Sequence, residues 1–311
     1  MARRRRGRPI TGWINLDKPK GMTSAQAVAA VKRLLDAQKV GHGGTLDPLA
    51  TGVLPIALGE ATKMVPFLMD RPKSYVFTVR WGEARATDDA EGAVIARSAK
   101  RPTAAAIEAA LPAFTGVIQQ VPPAFSAIKV DGARAYDLAR AGETVDLPPR
   151  AVEVMAFARQ GTDADPQIET RFHVTCGKGT YVRALARDLG VALGTYGYVA
   201  ELARSGVGGL RLADAISLET LAEMVHKAAP RTDYVRPMTA ALDDILALAV
   251  TTEEARRVMA GQPVMHRGVP DGLLCLSFKG EALAMAEAKD GRLQPVRVFN
   301  LKKQKERNDV D

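Results

Sequence analysis

The feature that most narrows the folds open to this chain is the run from Tyr75 to Trp81. Tyr75, Phe77, Val79 and Trp81 fall on one side, Thr78 and Arg80 on the other. A strand turns its side chains over every two residues, so this pattern buries one face and wets the other. Parallel sheets bury both faces and read as continuous apolar runs, so the alternation calls for an antiparallel sheet. Apolar runs at Trp13 to Leu16 and Gly52 to Leu58, with strands near Val152 to Ala158 and Glu169 to Thr175, supply further members.

Helices fill the intervals. One starts at Thr23, where Gln26 three residues on completes a capping box, and carries Val28, Val31 and Leu35 on one face. Others are predicted near Ala104 to Leu111, Tyr181 to Leu189 and Leu218 to Lys227. Gly41 to Gly44 reads as a flexible loop. Pro122-Pro123 and Pro148-Pro149 bracket a stretch with Lys129, Arg134, Tyr136 and Arg140, read as an insertion over about 119–150 that stands off the core. The polar, turn-rich Pro230-Arg231-Thr232-Asp233 opens a linker that ends near Leu242. Beyond it, a second capping box at Thr251 and Glu254, a stop at Gly261 and short strands to Phe299 predict a small β-rich domain. The expected fold class is α+β: a mixed, mostly antiparallel central sheet with flanking helices over 11–240, then the C-terminal domain over 243–301 and a polar tail over 302–311.

Composition removes several classes. With 47% hydrophobic and 25% charged residues in 311, the chain is that of an ordinary globular protein. No run approaches the roughly 18 apolar residues of a membrane span, and Arg3 to Arg6 lead into Gly7 with no apolar region behind them, so a membrane role and secretion are not expected. Cys176 and Cys275 make no disulfide framework, which suits a reducing cytoplasm. Of the net charge of +8, Arg3, Arg4, Arg5, Arg6 and Arg8 supply five. The charge therefore argues for a basic, disordered arm over 1–10, either solubilising or gaining affinity at phosphates, rather than for a basic body.

The segment Val40-Gly41-His42-Gly43-Gly44-Thr45-Leu46-Asp47-Pro48-Leu49-Ala50-Thr51-Gly52-Val53-Leu54-Pro55 concentrates the chemistry. Its glycines permit close backbone approach and Pro48 biases Asp47 toward an extended conformation, so one carboxylate can be held at the rim of a buried strand. By turn statistics alone, an Asp-Pro turn before a strand is the commoner explanation.

This block resembles the catalytic motif of the TruB family of pseudouridine synthases, which reads close to GHxGxLDPxATGxL. The resemblance continues through Leu16-Asp17-Lys18-Pro19, Lys73-Ser74-Tyr75, Pro122-Pro123-Ala124-Phe125-Ser126-Ala127 and Cys176-Gly177-Lys178-Gly179-Thr180-Tyr181-Val182-Arg183. It implies that Asp47 is the catalytic aspartate, acting either as a nucleophile at the ribose or as a base on a ribose proton. It further implies that Arg183 makes a bidentate pair that orients Asp47, and that Tyr75 stacks on the target base. His42 would be inserted into the RNA loop, Tyr181 and Leu202 would line the uracil pocket, and Lys20 would sit near the site. The implied substrate is tRNA, with uridine 55 flipped out of the T loop. The insertion would correspond to the family's thumb on the T stem-loop, and the C-terminal segment to a PUA-like module contacting the acceptor end. Neither cofactor nor metal is expected, nor a guide RNA, and the chain is expected to act as a monomer. The arginine-rich leader is not part of the family motif.

Rival readings of the residues fare as follows. Gly177-Lys178-Gly179-Thr180 lacks the phosphate-loop spacing, because Phe172 and Gly179 stand where glycine and Ser or Thr are needed. His42, His173, His226 and His266 with two separate cysteines give no zinc-site spacing. A non-catalytic tRNA-binding or tRNA-folding protein is the alternative from another class. Such a module has no use for a carboxylate in a groove that attracts phosphate.

Overall fold

The computed structural model describes residues 7–126, 128–130, 132–143, 145–161, 168–242 and 245–300. Arg3 to Arg6 of the basic arm, the polar tail, and the side chains of Lys129 and Arg134 lie outside this description. Two compact units emerge, one of Met1–Asp47, Gly52–Met69 and Val207–Asp311, the other of Pro48–Thr51 and Asp70–Gly206.

The first unit opens with strand β1 (Gly12–Lys18), helix α1 (Ser24–Leu35), strands β2 (Val40–His42) and β3 (Thr51–Leu58), and the short helix α2 (Val65–Met69). Both halves of the Thr23 and Gln26 capping box are present, and α1 buries Ala27, Val31 and Leu35. β3 runs antiparallel to β1, with Leu54 opposite Leu16. The expected loop at Gly41 begins as strand instead: β2 pairs with β3, His42 opposite Ile56, and the Gly43 amide donates to the Pro55 carbonyl at 2.8 Å. Glycine here serves close packing, since a Cβ on Gly43 would lie 2.6 Å from a Leu68 methyl.

The second unit holds strands β4 (Lys73–Trp81), β5 (Glu83–Arg85) and β6 (Val94–Arg97), helix α3 (Ala104–Ala110), and strand β7 (Gly116–Gln120). It continues with β8 (Lys129–Val130), β9 (Ala133–Arg134), helix α4 (Ala135–Arg140), β10 (Arg150–Arg159), β11 (Glu169–Cys176), helix α5 (Val182–Ala192) and β12 (Gly197–Val207). Its sheet runs β12-β4-β11-β10-β7. β4 has the predicted alternation, with Phe77, Val79 and Trp81 buried and Arg80 exposed, while Tyr75 is only half-buried. Phe77, Phe157 and Phe172 form an aromatic cluster with centroids 5.3 to 5.9 Å apart, the Phe77 and Phe172 rings facing each other across β4 and β11.

Within the insertion, β8 and β9 form a two-residue ladder leading into α4. Phe125 and Tyr136 meet edge to face at 5.8 Å.

The chain then returns to the first unit through β13 (Leu210–Arg211), β14 (Ile216–Ser217), α6 (Leu218–His226), β15 (Ala247–Ala249), α7 (Thr252–Met259), β16 (Val264–Met265), β17 (Gly272–Phe278), β18 (Glu281–Lys289) and β19 (Arg292–Val298). β14 lies parallel to β1. The stretch read as a linker lies along β1: the Trp13 amide donates to Arg236 and its indole to the Met238 carbonyl at 2.8 Å. The C-terminal strands make a five-stranded sheet, β15-β17-β18-β19-β16, with α7 started by a complete Thr251 and Glu254 capping box. Trp13, Val53, Ala57, Met238, Met285 and Phe299 share one buried cluster. Among the described residues, no helix is long and apolar enough to cross a membrane.

Candidate active site

Asp47 closes a loop whose N-terminal flank is pinned to α1. On its N-terminal flank, the Ser24 hydroxyl at the start of α1 accepts from the Leu46 amide at 2.8 Å and donates to the Leu46 carbonyl at 3.1 Å. Leu46 itself is buried, so the residue before Asp47 is fixed by packing and by two hydrogen bonds. On the other flank Pro48 begins a tetrapeptide that belongs to the second unit, where the Thr51 hydroxyl donates to the Leu202 carbonyl at 3.4 Å. Asp47 is half-buried.

Two further residues of the first unit carry expectations. His42 ends β2, half-buried, where the ladder with β3 fixes its backbone. Lys20 is exposed on the turn after β1. Lys18, which sequence reasoning did not single out, is the buried lysine there: its ammonium donates to the carbonyls of Pro19 at 2.9 Å and Met22 at 2.7 Å, closing the turn.

In the second unit, Tyr75 and Leu202 lie on adjacent strands, β4 and β12, with Leu202 buried. Tyr181 is the residue before α5 and Arg183 sits in its first turn. The Gln120 side chain grips the Tyr181 backbone twice, accepting from its amide at 2.8 Å and donating to its carbonyl at 3.2 Å. Arg150 places its guanidinium 5.1 Å from the Tyr181 ring centroid, within cation-π range. Arg183 is buried; its guanidinium donates to the carbonyls of Thr87 at 2.8 Å and Phe125 at 2.9 Å and lies 3.6 Å from an Asp89 oxygen. One turn on, Arg187 pairs with Asp88 at 3.0 Å and donates to the Val121 carbonyl at 2.7 Å.

Burial pushes the Asp88 carboxyl up, against the opposing pull of Arg187 and Arg183. Two residues before Tyr75, Lys73 is buried; that burial and the nearby Arg204 charge lower its ammonium to about 8. Burial raises the Cys176 thiol opposite it to about 11.

The structure thus gathers the expected residues into two sets, His42, Asp47 and Lys20 in one unit and Tyr75, Tyr181, Arg183 and Leu202 in the other. Gln120, Arg150 and Arg187 went unread as supports. Their only sequence signal was position, at the ends of the expected insertion and one helical turn after Arg183. Among the described residues, no group of three or more His, Cys, Asp or Glu side chains is arranged to hold a metal ion.

Comparison with known proteins gives a consistent outcome. The family model for the N-terminal domain of TruB family pseudouridylate synthases matches residues 32–182, and that for the tRNA pseudouridylate synthase B C-terminal domain matches residues 183–247. A relative from Rhodopseudomonas palustris named tRNA pseudouridine synthase B is 53% identical over 308 residues, covering 96% of this chain and 83% of its own. One of the same name from Caulobacter vibrioides is 50% identical, covering 97% of this chain and 100% of its own. Among solved structures, one titled as a Cbf5-Nop10-Gar1 complex has a chain that aligns with a TM-score of 0.73 at 26% identity, covering 93% of this chain and 84% of that one.

Proposed function

Because this chain belongs to the TruB family of pseudouridylate synthases, we propose that it isomerises uridine 55 in the T loop of tRNA, with Asp47 as the essential carboxylate. The reaction breaks the bond from ribose C1′ to N1 of uracil, turns the base and joins C1′ to C5; the proton lost from C5 is balanced by one gained at N1. Atoms and electrons balance without a co-substrate. Asp47 acts on the ribose, as nucleophile at C1′ or as base toward a ribose proton. Arg183 orients that carboxylate, Tyr75 stacks on the extruded base and takes part in the proton removal at C5, and Tyr181 and Leu202 line the uracil pocket. His42 fills the place the base leaves, offsetting the few kcal/mol of unstacking; Lys20 sits near the site.

The observation that supports this reading most is the setting of Asp47, a half-buried carboxylate whose preceding residue is clasped by Ser24. A catalytic group held this way loses little freedom when substrate arrives. The domains follow the same reading: a catalytic part over 11–240 with the thumb at about 119–150, and a PUA-like C-terminal part over 243–301 that meets the acceptor end. The enzyme works as a monomer in the cytoplasm without guide RNA, as suits a relative of tRNA pseudouridine synthase B over 96% of the chain.

The test is base-resolved mapping of pseudouridine in unmodified tRNA treated with wild type or Asp47→Ala. The variant is expected to bind tRNA while losing at least about a thousandfold in rate, within the range for a positioned acid-base or nucleophilic group. Pseudouridine formed by Asp47→Ala at the wild-type rate would leave only a tRNA-binding or tRNA-folding role.

A further inference from the structure

Both roots of the insertion converge on the start of α5. Gln120 ends β7 and Arg150 begins β10, and the two residues are register partners across that antiparallel pair. Between them the chain makes its excursion over residues 121–149. The same two residues hold Tyr181 from different sides, Gln120 through the two backbone hydrogen bonds and Arg150 through the ring. Tyr181 precedes α5 without a side-chain cap; its carbonyl accepts from the Leu185 amide at 3.1 Å as well as from Gln120, so the side chain of Gln120 joins the first turn of the helix to β7. Arg150 also donates to the Gly179 carbonyl at 2.8 Å, fixing the turn that delivers Tyr181, where Gly179 takes a positive φ of 88°.

The excursion reaches α5 through its backbone as well. The carbonyls of Val121 and Phe125, in its first five residues, accept from Arg187 and Arg183 respectively. Four hydrogen bonds and one ring contact thus fasten Tyr181 and the first turns of α5, where Arg183 sits, to the base of the insertion.

We infer that Arg150 and Gln120 are positioning residues for the reaction: by holding Tyr181 they set the uracil pocket, so their loss slows the chemical step more than it weakens RNA binding. The inference rests on the proposed function above, in which Tyr181 lines that pocket. Its competitor is that Arg150, a cation at the foot of the insertion, contacts phosphate. The carbonyl bond to Gly179 and the contact with the Tyr181 ring engage this half-exposed guanidinium within the protein.

Single-turnover rates on unmodified tRNA at saturating enzyme, with tRNA affinity measured separately, decide the matter. Arg150→Ala and Gln120→Ala are expected to slow the saturated rate roughly ten- to hundredfold, the scale of an ångström-sized misplacement, while the Kd for tRNA moves less than about threefold. Arg150→Lys, which restores a cation over the ring, should recover much of the rate. In a Tyr181→Ala background, adding Arg150→Ala should cost less than about threefold, because partners in one interaction are not additive. A saturated rate unchanged in Arg150→Ala, with weaker binding and a shallower salt dependence, overturns the inference in favour of a phosphate contact. If Arg150→Ala does not fold, Gln120→Glu, which still accepts from the Tyr181 amide but cannot donate to its carbonyl, carries the comparison, and a wild-type saturated rate in it also overturns the inference. Asp47→Ala run alongside separates the two levels: an active Asp47→Ala defeats the proposed function, whereas an inactive one beside a fully active Arg150→Ala defeats only this inference.

Discussion

Lys73 illustrates how far a single residue departs from what its type suggests. A lysine opening a strand is ordinarily a solvated charge, yet here it is buried on the face of β4 that also carries Tyr75, Phe77, Val79 and Trp81. Burial first and the Arg204 charge second lower its ammonium from 10.5 to about 8. Between these values the folded protein binds fewer protons at this group than the unfolded chain, so Lys73 adds stability as pH rises from about 8 to about 10.5. The stability difference between wild type and Lys73→Met should therefore move in the wild type's favour over that window, as read from denaturant unfolding at several pH values. A difference that stays flat across it rules out a depressed ammonium. None of this was legible in the sequence, because Arg204 is remote in the chain. The same distance hid Gln120 and Arg150, whose partner Tyr181 is equally non-local.

Elements were legible where their signals are local. Both capping boxes formed as read, since a Thr and a Gln or Glu three residues on need only one helical turn to meet. At α7 the Glu254 carboxyl is held below its usual range first by the Thr251 amide it accepts from. Thr251→Ala should cost about 1 kcal/mol, the usual loss for an N-cap hydroxyl, and thermal or denaturant unfolding that shows no change would mean the cap adds nothing. β12 carries no clear strand signal although it is the longest strand among the described residues. Its Ala and charged residues suit a helix as well as a strand, and its alternation is masked because Arg204 rather than an apolar residue occupies a buried position. The loop reading of Gly41 to Gly44 fails at Gly41 and His42 because a three-residue strand carries no periodicity, and only the pairing of β2 with β3 makes it one.

For the whole molecule, charge and chain path are the quantities that matter. Four of the eight net positive charges can be ascribed to Arg3 to Arg6, whereas Arg8 is tied down by a backbone bridge to Ala37 and Ile10 is buried. If the leader contacts RNA, deleting residues 1–6 and their four arginines should flatten the plot of log affinity for tRNA against log salt by up to about 3.6, at roughly 0.7 to 0.9 per lost phosphate contact. The saturated reaction rate should stay unchanged. An unaltered slope assigns the leader a solubilising role.

The sequence by itself determined the antiparallel character of β4, the starts of α1, α3, α5, α6 and α7, the motif around Asp47 and the family, because those signals lie within a turn, a strand or one contiguous block. Tertiary structure alone decided that the chain's first strand and last third share a core through Trp13, Met238 and Phe299. It also decided which charges are buried and which side chains hold Tyr181. Those outcomes depend on long-range burial and on backbone groups finding distant partners, and no periodicity or spacing along the chain encodes which partner will be nearest.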